Sequence, residues 1–281
     1  MKKIGFVDFY LSEWHADNYP QWIKETNEKL GTDYEVVYGW AEKDISPVDG
    51  LSTAQWCEKM GITMCETVGE LCEKSDYIIV LAPSNPETHL RLAQQVLPYG
   101  KRTYIDKTFA PDLNTAKEIF ALGEKYSAPF FSSSALRYAT ELKELRNADN
   151  LIITGGGSNF NEYIIHIVEM AVVLLNDKVK KVKVECQGEA QRLCRVVTQN
   201  GKQATFVFAP GYGFSVLGVL PDGSVVNKNI QSDFFKGLIA DILKFFENGV
   251  LPFDSNQTLD VMTMRDALIS GENKDGEWIE L

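Results

Sequence analysis

Residues 77–82 read Tyr77-Ile78-Ile79-Val80-Leu81-Ala82, an uninterrupted apolar run that ends at a proline-containing turn. A strand that is apolar on both faces is typical of a parallel sheet covered by helices on both sides. A short helical pattern precedes the run, and Thr67 with Glu70 three residues later predicts a capping box at its start. The run therefore predicts the centre of an α/β sheet.

Short apolar runs and amphipathic stretches alternate on both sides of this central strand. We predict strands at 4–9, 34–38, 77–82, 102–105 and 129–132, and helical stretches that include 86–97 and 114–126. Regular alternation of strand and helix implies right-handed crossovers and a doubly wound parallel sheet. We predict a Rossmann-like α/β domain over residues 1–132.

The pattern changes in the second half of the chain. One helix is predicted at 158–175 and two more at 233–247 and 257–269, with alternating strand patterns between the first and the second. Asn200-Gly201 and Asp222-Gly223 lie between such patterns and predict tight hairpins. We predict an α+β domain over residues 133–281 with an open antiparallel sheet, covered by helices on one face. Its bare apolar face predicts a homodimer or a larger homo-oligomer.

The composition limits the classes of partner. The 281 residues are 44% hydrophobic, and 28 Lys and Arg stand against 39 Asp and Glu, so the formal net charge is −11. Such a negative surface argues against binding to nucleic acid or to an anionic membrane. No secretory or membrane-spanning pattern is recognised. Five cysteines without a Cys-x-x-Cys pair predict neither structural zinc nor a disulfide framework, and we expect a cytoplasmic protein.

The turn after the first strand is the first candidate ligand site, because parallel sheets bind ligands at the carboxyl ends of their strands. Phe9-Tyr10-Leu11 lies there between Asp8 and Glu13, and no glycine fingerprint is present. A carboxylate about 4 Å from a phosphate costs roughly 1–4 kcal/mol, whereas a helix N-terminus stabilises an anion by roughly 0.3–1 kcal/mol. We expect a dinucleotide to bind this turn weakly, unless the two carboxylates point away.

Two further strand ends carry candidate residues. The predicted strand at 77–82 is followed by Pro83, Ser84, Asn85 and His89, and the predicted strand at 102–105 by Asp106 and Lys107. A proline turn leading into a helix and a solvated Asp-Lys pair are the ordinary structural interpretations. Their position at the carboxyl edge of the sheet favours a role in ligand binding.

The long helix of the second half carries Glu162, His166 and Glu169, whose offsets of four and three residues place them on one face. A histidine between two acids is a structural element, a catalytic base or part of a metal site. No second helix offers a matching set of ligands, so we predict no metal.

These motifs together resemble the glucose–fructose oxidoreductase, inositol dehydrogenase and rhizopine-catabolism (Gfo/Idh/MocA) family. The resemblance covers nearly the whole chain and is most specific from Asp76 to Arg137. It implies a Rossmann domain followed by an α/β domain with an open sheet. It also implies hydride transfer between NAD or NADP and a sugar, cyclitol or related alcohol.

The resemblance assigns roles to particular residues. Segment 100–108 resembles the family motif that carries the catalytic lysine, at Lys107, and Glu162, His166 and Glu169 resemble its Asp-x-x-x-His-x-x-Asp motif with both acids replaced by glutamate. By this resemblance His166 takes the hydroxyl proton, Lys107 polarises the oxygen, and Glu162 orients or charges the pair. Pro83 to Asn85, His89 and Asp106 are expected at the cofactor, and Arg137 and Glu169 at the substrate. The missing glycines and Thr108, where the family has proline, are the main departures.

We therefore expect an NAD(P)-dependent oxidoreductase acting on a small hydroxyl compound, with Lys107 and His166 facing one cleft between the domains. The alternative is a cofactor-free ligand-binding or regulatory protein that kept the fold. The turn from Asp8 to Glu13 favours the alternative, whereas the retained Lys107 and His166 favour the enzyme.

Overall fold

The computed structural model describes all 281 residues. The chain forms two compact units: Met1–Ser133 with Leu238–Ser255, and Ser134–Gly237 with Asn256–Leu281. The sequence-based division assigned all of 133–281 to the second domain and did not anticipate the return of 238–255. Aromatic packing explains the return, because Phe246 stacks on Tyr77 with ring centroids 4.7 Å apart and Phe245 meets the Phe131 ring edge-on at 5.3 Å.

The first unit contains a six-stranded parallel sheet in the order β3-β2-β1-β4-β5-β6, which confirms the predicted Rossmann-like fold. Ile78, Ile79 and Val80 of the central strand are fully buried, as their uninterrupted apolar pattern predicted. The strand order reverses between β1 and β4, so the carboxyl ends of these two strands define a topological switch point. The strands are β1 Lys2–Asp8, β2 Tyr34–Ala41, β3 Thr63–Met64, β4 Tyr77–Val80, β5 Thr103–Ile105 and β6 Phe130–Phe131.

Five α-helices connect these strands, and their ends follow local capping chemistry. Gly31 ends the first of them in the left-handed region, with φ of 67°. Thr67 caps the third helix by accepting the N–H of Glu70, as predicted, but the Glu70 carboxylate accepts the N–H of Glu66 instead of closing a reciprocal box. The helices are α1 Trp14–Leu30, α2 Thr53–Met60, α3 Val68–Lys74, α4 His89–Val96 and α5 Leu113–Tyr126.

The second unit contains a seven-stranded sheet in the order β12-β11-β7-β10-β9-β8-β13. The sheet is mixed, which corrects the predicted antiparallel sheet: β7 and β10 pair in parallel, because β7 enters between two strands that follow it in the chain. The strands are β7 Asn150–Gly155, β8 Val179–Gln187, β9 Gln191–Thr198, β10 Gln203–Phe208, β11 Ser215–Val219, β12 Val225–Asn229 and β13 Trp278–Glu280. The helices are α6 Phe160–Leu175 and α8 Asn256–Gly271, while α7 Phe234–Asn248 runs from this unit into the first.

Alternation along the strands separates the two faces of this sheet. Val182 and Val184 are fully buried in the core that includes α6 and α8, whereas Ile152 on the other face is 43% exposed. Both predicted hairpins are present, with Gly201 at φ of 87° and Gly223 at φ of 83°. The chain contains no helix with both the length and the apolar content needed to cross a membrane.

Candidate active site

The carboxyl edge of the first sheet carries a buried group of ionisable and hydroxyl side chains. β1 ends at Asp8, and Asp106 follows β5 directly. Because this group lies where the strand order reverses, we call it the switch-point cluster. Its members are Asp8, Glu13, His15, Tyr19, Tyr104, Asp106 and Lys107, and none of them is more than 9% exposed.

Asp106 connects the members of the switch-point cluster. Its Oδ2 is in short contact with Nδ1 of His15, and its Oδ1 accepts the N–H of Lys107 at 2.8 Å and the hydroxyl of Tyr104 at 3.0 Å. Burial alone raises the pKa of Asp106, but its interactions with His15 and Lys107 outweigh burial and lower the pKa below its usual value. The structure thus places Asp106, a predicted cofactor contact, inside the protein, bonded to protein groups.

Lys107 lies beside the turn that follows β4. Its side chain is almost entirely buried, and Nζ donates to the carbonyl oxygen of Pro83 at 3.3 Å. The main chain is held on one side by the Asp106 carboxylate, and the Lys107–Thr108 peptide is cis. A cationic group is therefore held at the edge where this class of sheet binds its ligands.

Asp8 and Glu13 turn their carboxylates inward onto backbone N–H groups. Oδ1 of Asp8 accepts the N–H groups of Phe9 at 2.7 Å and Ala82 at 2.9 Å. Glu13 caps α1 by accepting the N–H groups of His15 and Ala16. Burial raises the pKa of both carboxyl groups, and the charge of Glu13 raises that of Asp8 further.

A dinucleotide, which a Rossmann-like sheet implies, would bring its pyrophosphate to the N-terminus of α1. The residues present do not fit a pyrophosphate there, because the Glu13 carboxylate already occupies the N–H groups of the first helical turn. The predicted repulsion assumed carboxylates facing the ligand. The structure instead shows one of them in the ligand's place.

The remaining turn residues predicted to contact a cofactor lie at different depths. Phe9 and Tyr10 are half-buried, whereas Leu11 is 1% exposed. The guanidinium of Arg91 lies 5.6 Å from the centre of the Phe9 ring and binds both carboxylate oxygens of Glu42 at 2.7 Å. Of these three residues, only Phe9 and Tyr10 therefore have exposed surface.

The turn after β4 contains three more predicted cofactor contacts. Pro83 is buried, Ser84 is exposed and Asn85 is half-buried. The amide nitrogen of Asn85 bonds to the carboxylate of Glu87 at 3.0 Å. Ser84 and Asn85 are thus the residues of this turn with polar side chains at the surface of the unit.

His89, also predicted at the cofactor, is fully buried. Its ring nitrogens lie 3.0 Å from the carbonyl oxygen of Phe109 and 2.6 Å from that of Leu81. Burial lowers the pKa of His89, which favours the neutral ring. A neutral ring donates to one of these carbonyls, so His89 ties the end of β4 to the loop after β5.

In the second unit, His166 lies on α6 and is half-buried. Its Nδ1 lies 2.7 Å from the hydroxyl of Ser134, which also accepts the N–H of Leu136 at 3.2 Å. The Phe214 ring packs edge-on against the imidazole at 5.7 Å. Ser134 and Phe214 therefore orient the ring, and Nε2 is the nitrogen on the side away from Ser134.

The two glutamates of the α6 motif have different surroundings. Glu162 lies half-buried in the first helical turn, where its N–H bonds to the cap residue Asn159. Glu169 is buried and paired with Nε of Arg137, whose Nη1 bonds to Gln257 at 2.7 Å. Burial raises the pKa of Glu169, and Arg137 opposes this rise. The two predicted substrate contacts thus bind each other.

The sequence did not single out Ser134 or Tyr104. Ser134 ends the run Ser132-Ser133-Ser134 that follows the last parallel strand. Its position after the end of a strand is the only sequence signal that could have identified it as a site residue. Tyr104 lies between Thr103 and Ile105 in the short strand β5, whose three residues are all buried. Its hydroxyl lies 2.9 Å from the carbonyl oxygen of Ser133 and bonds to Asp106.

No protein-family model and no curated protein matches this sequence. Solved structures match it over nearly the whole chain. The myo-inositol dehydrogenase of Lactobacillus casei, solved with NAD(H) and myo-inositol, has a TM-score of 0.80 and 13% identity, covering 100% of this chain and 96% of its own. That of Corynebacterium glutamicum has a TM-score of 0.76 and 12% identity, covering 100% and 98%.

A third match is the UDP-N-acetylglucosamine 3-dehydrogenase GnnA of Acidithiobacillus ferrooxidans, with a TM-score of 0.76 and 10% identity over 97% of this chain and 98% of its own. At these identities the matches establish the fold. The chain has the fold of Gfo/Idh/MocA-type dehydrogenases, which confirms the fold that the sequence resemblance implied.

Proposed function

We propose that this chain is an oxidoreductase that transfers hydride between NAD or NADP and a sugar, polyol or related hydroxyl compound. The observation that carries the proposal is Lys107, a buried lysine at the carboxyl edge of a Rossmann-like sheet, with its N–H held by Asp106 and its Nζ on the carbonyl of Pro83. The solved neighbours add support, since one contains NAD(H) and myo-inositol and another is a nucleotide-sugar dehydrogenase.

The proposal gives this chain's residues distinct roles in the proton transfer. Oxidation of an alcohol requires a group that polarises the hydroxyl oxygen and a base for its proton. Lys107 donates to the oxygen, Nε2 of His166 accepts the proton, and Glu162, one turn earlier on α6, stabilises the charge that the ring gains. The nicotinamide, when bound, supplies the hydride acceptor.

Arg137 and Glu169 support the part of this arrangement that α6 carries. They bond to each other, so their first role is to hold the segment after Ser134 against the helix that carries His166. Direct contact of either residue with the substrate stays a prediction.

The dinucleotide itself meets two regions of the first unit in this proposal. Phe9, Tyr10 and Leu11 line the turn after β1, and the segment 83–85 lines the turn after β4. The Glu13 side chain has to leave the N-terminus of α1 before a pyrophosphate can approach it, because the carboxylate takes the same N–H groups.

Assembly and compartment complete the proposal. The face of the second sheet that carries Ile152 is the proposed surface of a homodimer or larger homo-oligomer, with more than roughly 1,000 Å² buried in total. All five cysteines are free thiols, in keeping with a reducing cytoplasm. Light scattering at micromolar concentration tests the assembly, and a monomer contradicts it.

The activity is tested by incubating the purified chain with NAD⁺ or NADP⁺ and a panel of polyols and sugars, and following nicotinamide reduction. We expect turnover with at least one substrate. Lys107→Met and His166→Asn should each lower kcat by about 10²–10⁴-fold, whereas the exposed Lys143→Met should not. If both residues act in one step, the double variant loses little more than the worse single variant. Full activity in Lys107→Met contradicts the assigned role.

The second candidate is a cofactor-free ligand-binding or regulatory protein. The observation that favours it is the Glu13 carboxylate on the N-terminus of α1, where a dinucleotide-binding protein needs an open anion site. Absence of turnover across the panel, together with no binding of NAD(H) or NADP(H), would favour this candidate over the enzyme.

A further inference from the structure

We infer that the Glu13 carboxylate is an internal substitute for a cofactor phosphate, and that a dinucleotide binds the first unit only when this side chain leaves the N-terminus of α1. The inference deepens the proposed function, on which it rests for the choice of ligand. Because the turn has no glycine fingerprint, binding of a dinucleotide there requires the displacement of one side chain.

The hydrogen bonds of Glu13 are those that a bound phosphate would make. Its Oε2 accepts the N–H of His15 at 2.8 Å, and its Oε1 accepts the N–H of Ala16 in a shorter contact. Glu13 is 7% exposed, so its side chain is seated on the helix end and does not extend into solvent. Phosphates bind helix N-termini through these same N–H groups.

The turn before Glu13 is closed as well. Leu11 is 1% exposed and Ser12 is 2% exposed, with φ of 63°. The Ser12 hydroxyl donates to Asp49 at 2.7 Å, and Ser46 donates to the Ser12 carbonyl at 3.0 Å. A glycine turn leaves bare backbone beside the helix end for a pyrophosphate. Here side chains and the 46–49 loop hold that backbone in place.

Asp8 supplies a second and independent observation. Its side chain is 1% exposed, and Oδ1 bonds to the N–H groups of Phe9 and Ala82. Its Oδ2 is buried without any hydrogen-bond partner. Its interaction with Glu13 is repulsive. A phosphate arriving beside both carboxyl groups would add negative charge, so removing Glu13 relieves the competition for N–H groups and part of the repulsion.

The inference is tested with ADP-ribose, which carries the pyrophosphate and lacks the nicotinamide. Its binding is measured by titration calorimetry with the wild-type chain and with Glu13→Gly, Glu13→Ser and Glu13→Gln. We expect Glu13→Gly to bind about tenfold or more tightly than wild type. Glu13→Ser keeps a short cap while vacating the space, so it should also bind more tightly if the glycine variant is poorly folded. Glu13→Gln still fills the position and should gain least.

Glu28→Gln is the matched control, because it removes the same charge from an exposed position on the same helix. Fifteen residues along a helix place it about 22 Å from Glu13, beyond the Debye length of roughly 10 Å at 0.1 M salt. We expect its ADP-ribose affinity to match wild type.

The outcomes separate this inference from the proposed activity. Equal affinity in wild type and the Gly and Ser variants overturns the inference, even if the enzyme turns over. Absence of ADP-ribose binding in all variants overturns it too, because the vacated helix end then takes no pyrophosphate. Tighter binding in the Gly and Ser variants without turnover on any hydroxyl compound leaves the inference standing and contradicts the proposed activity.

Discussion

The switch-point cluster of the first unit and the polar face of α6 in the second differ in how their charges are balanced. Asp8, Glu13 and Asp106 place three buried carboxyl groups against His15 and Lys107 in the cluster. In the second unit the buried charges on α6 are matched, with Glu169 paired to Arg137.

The two regions also differ in the groups that bind their acidic side chains. The cluster satisfies its acids mainly with backbone N–H groups and with one histidine, so its ionisation is coupled to folding. On α6, His166 and Glu162 are half-buried, whereas Glu169, the acid paired with Arg137, is buried. Buried acids therefore outnumber buried basic side chains in the switch-point cluster, whereas the one buried acid of α6 has a basic partner.

The largest expected effect on stability comes from breaking the buried pair of Arg137 and Glu169. Arg137→Met should lower the free energy of unfolding by about 3–5 kcal/mol, because Glu169 is left as an uncompensated buried charge. Urea denaturation followed by circular dichroism measures the change. Lys143→Met, an exposed site six residues on, is the control and should change stability by less than about 0.5 kcal/mol. A small effect of Arg137→Met would mean that the second unit is not held by this pair.

The buried acids of the switch-point cluster predict a substitution that raises the free energy of unfolding. Burial and the Glu13 charge raise the pKa of Asp8 in the folded state, so the native state binds more protons than the unfolded one. Stability from this group is present at low pH and falls as the pH rises through the folded pKa. Asp8→Asn removes that loss, and its amide can still accept the N–H groups of Phe9 and Ala82.

We therefore expect Asp8→Asn to be more stable than wild type at pH 8, on the order of 1 kcal/mol, with a smaller difference at pH 5. Denaturation at the two pH values measures it, and the exposed Asp149→Asn should show no such pH dependence. A variant that is less stable than wild type at both pH values would show that the charged carboxylate is needed by its N–H partners.

The smallest expected effect concerns the hydroxyl that orients His166. Ser134→Ala removes the hydrogen bond between the Ser134 hydroxyl and Nδ1 of His166 and should lower kcat/KM by roughly threefold to tenfold, and Ser134→Thr should restore it. Nitrogen chemical shifts of the His166 ring should show a mixture of tautomers in the alanine variant. With only three histidines in the chain, the signals are readily assigned. If the tautomer of the His166 ring is unchanged in the alanine variant, the role of Ser134 is only to accept the N–H of Leu136.

Local pattern was sufficient for much of this protein. The apolar run at 77–82 and the regular alternation around it predicted the parallel sheet, because burial on both faces leaves a continuous signature in a strand. Asn200-Gly201 and Asp222-Gly223 predicted their hairpins because these turns need positive φ. The placement of Lys107 after a strand and the helical spacing of His166 were likewise readable from neighbouring residues.

Tertiary structure decided what depends on residues far apart in the chain. His15 meets Asp106 across 91 positions, Ser134 meets His166 across 32, and the return of 238–255 to the first unit rests on aromatic contacts with distant strands. The direction of the Glu13 side chain is a different case, because its partners His15 and Ala16 are only two and three residues away. The sequence alone showed a carboxylate where a phosphate would lie, but a side chain can face the ligand or replace it. The N–H groups at the start of α1, which have no hydrogen-bond partner within the helix, settled the choice.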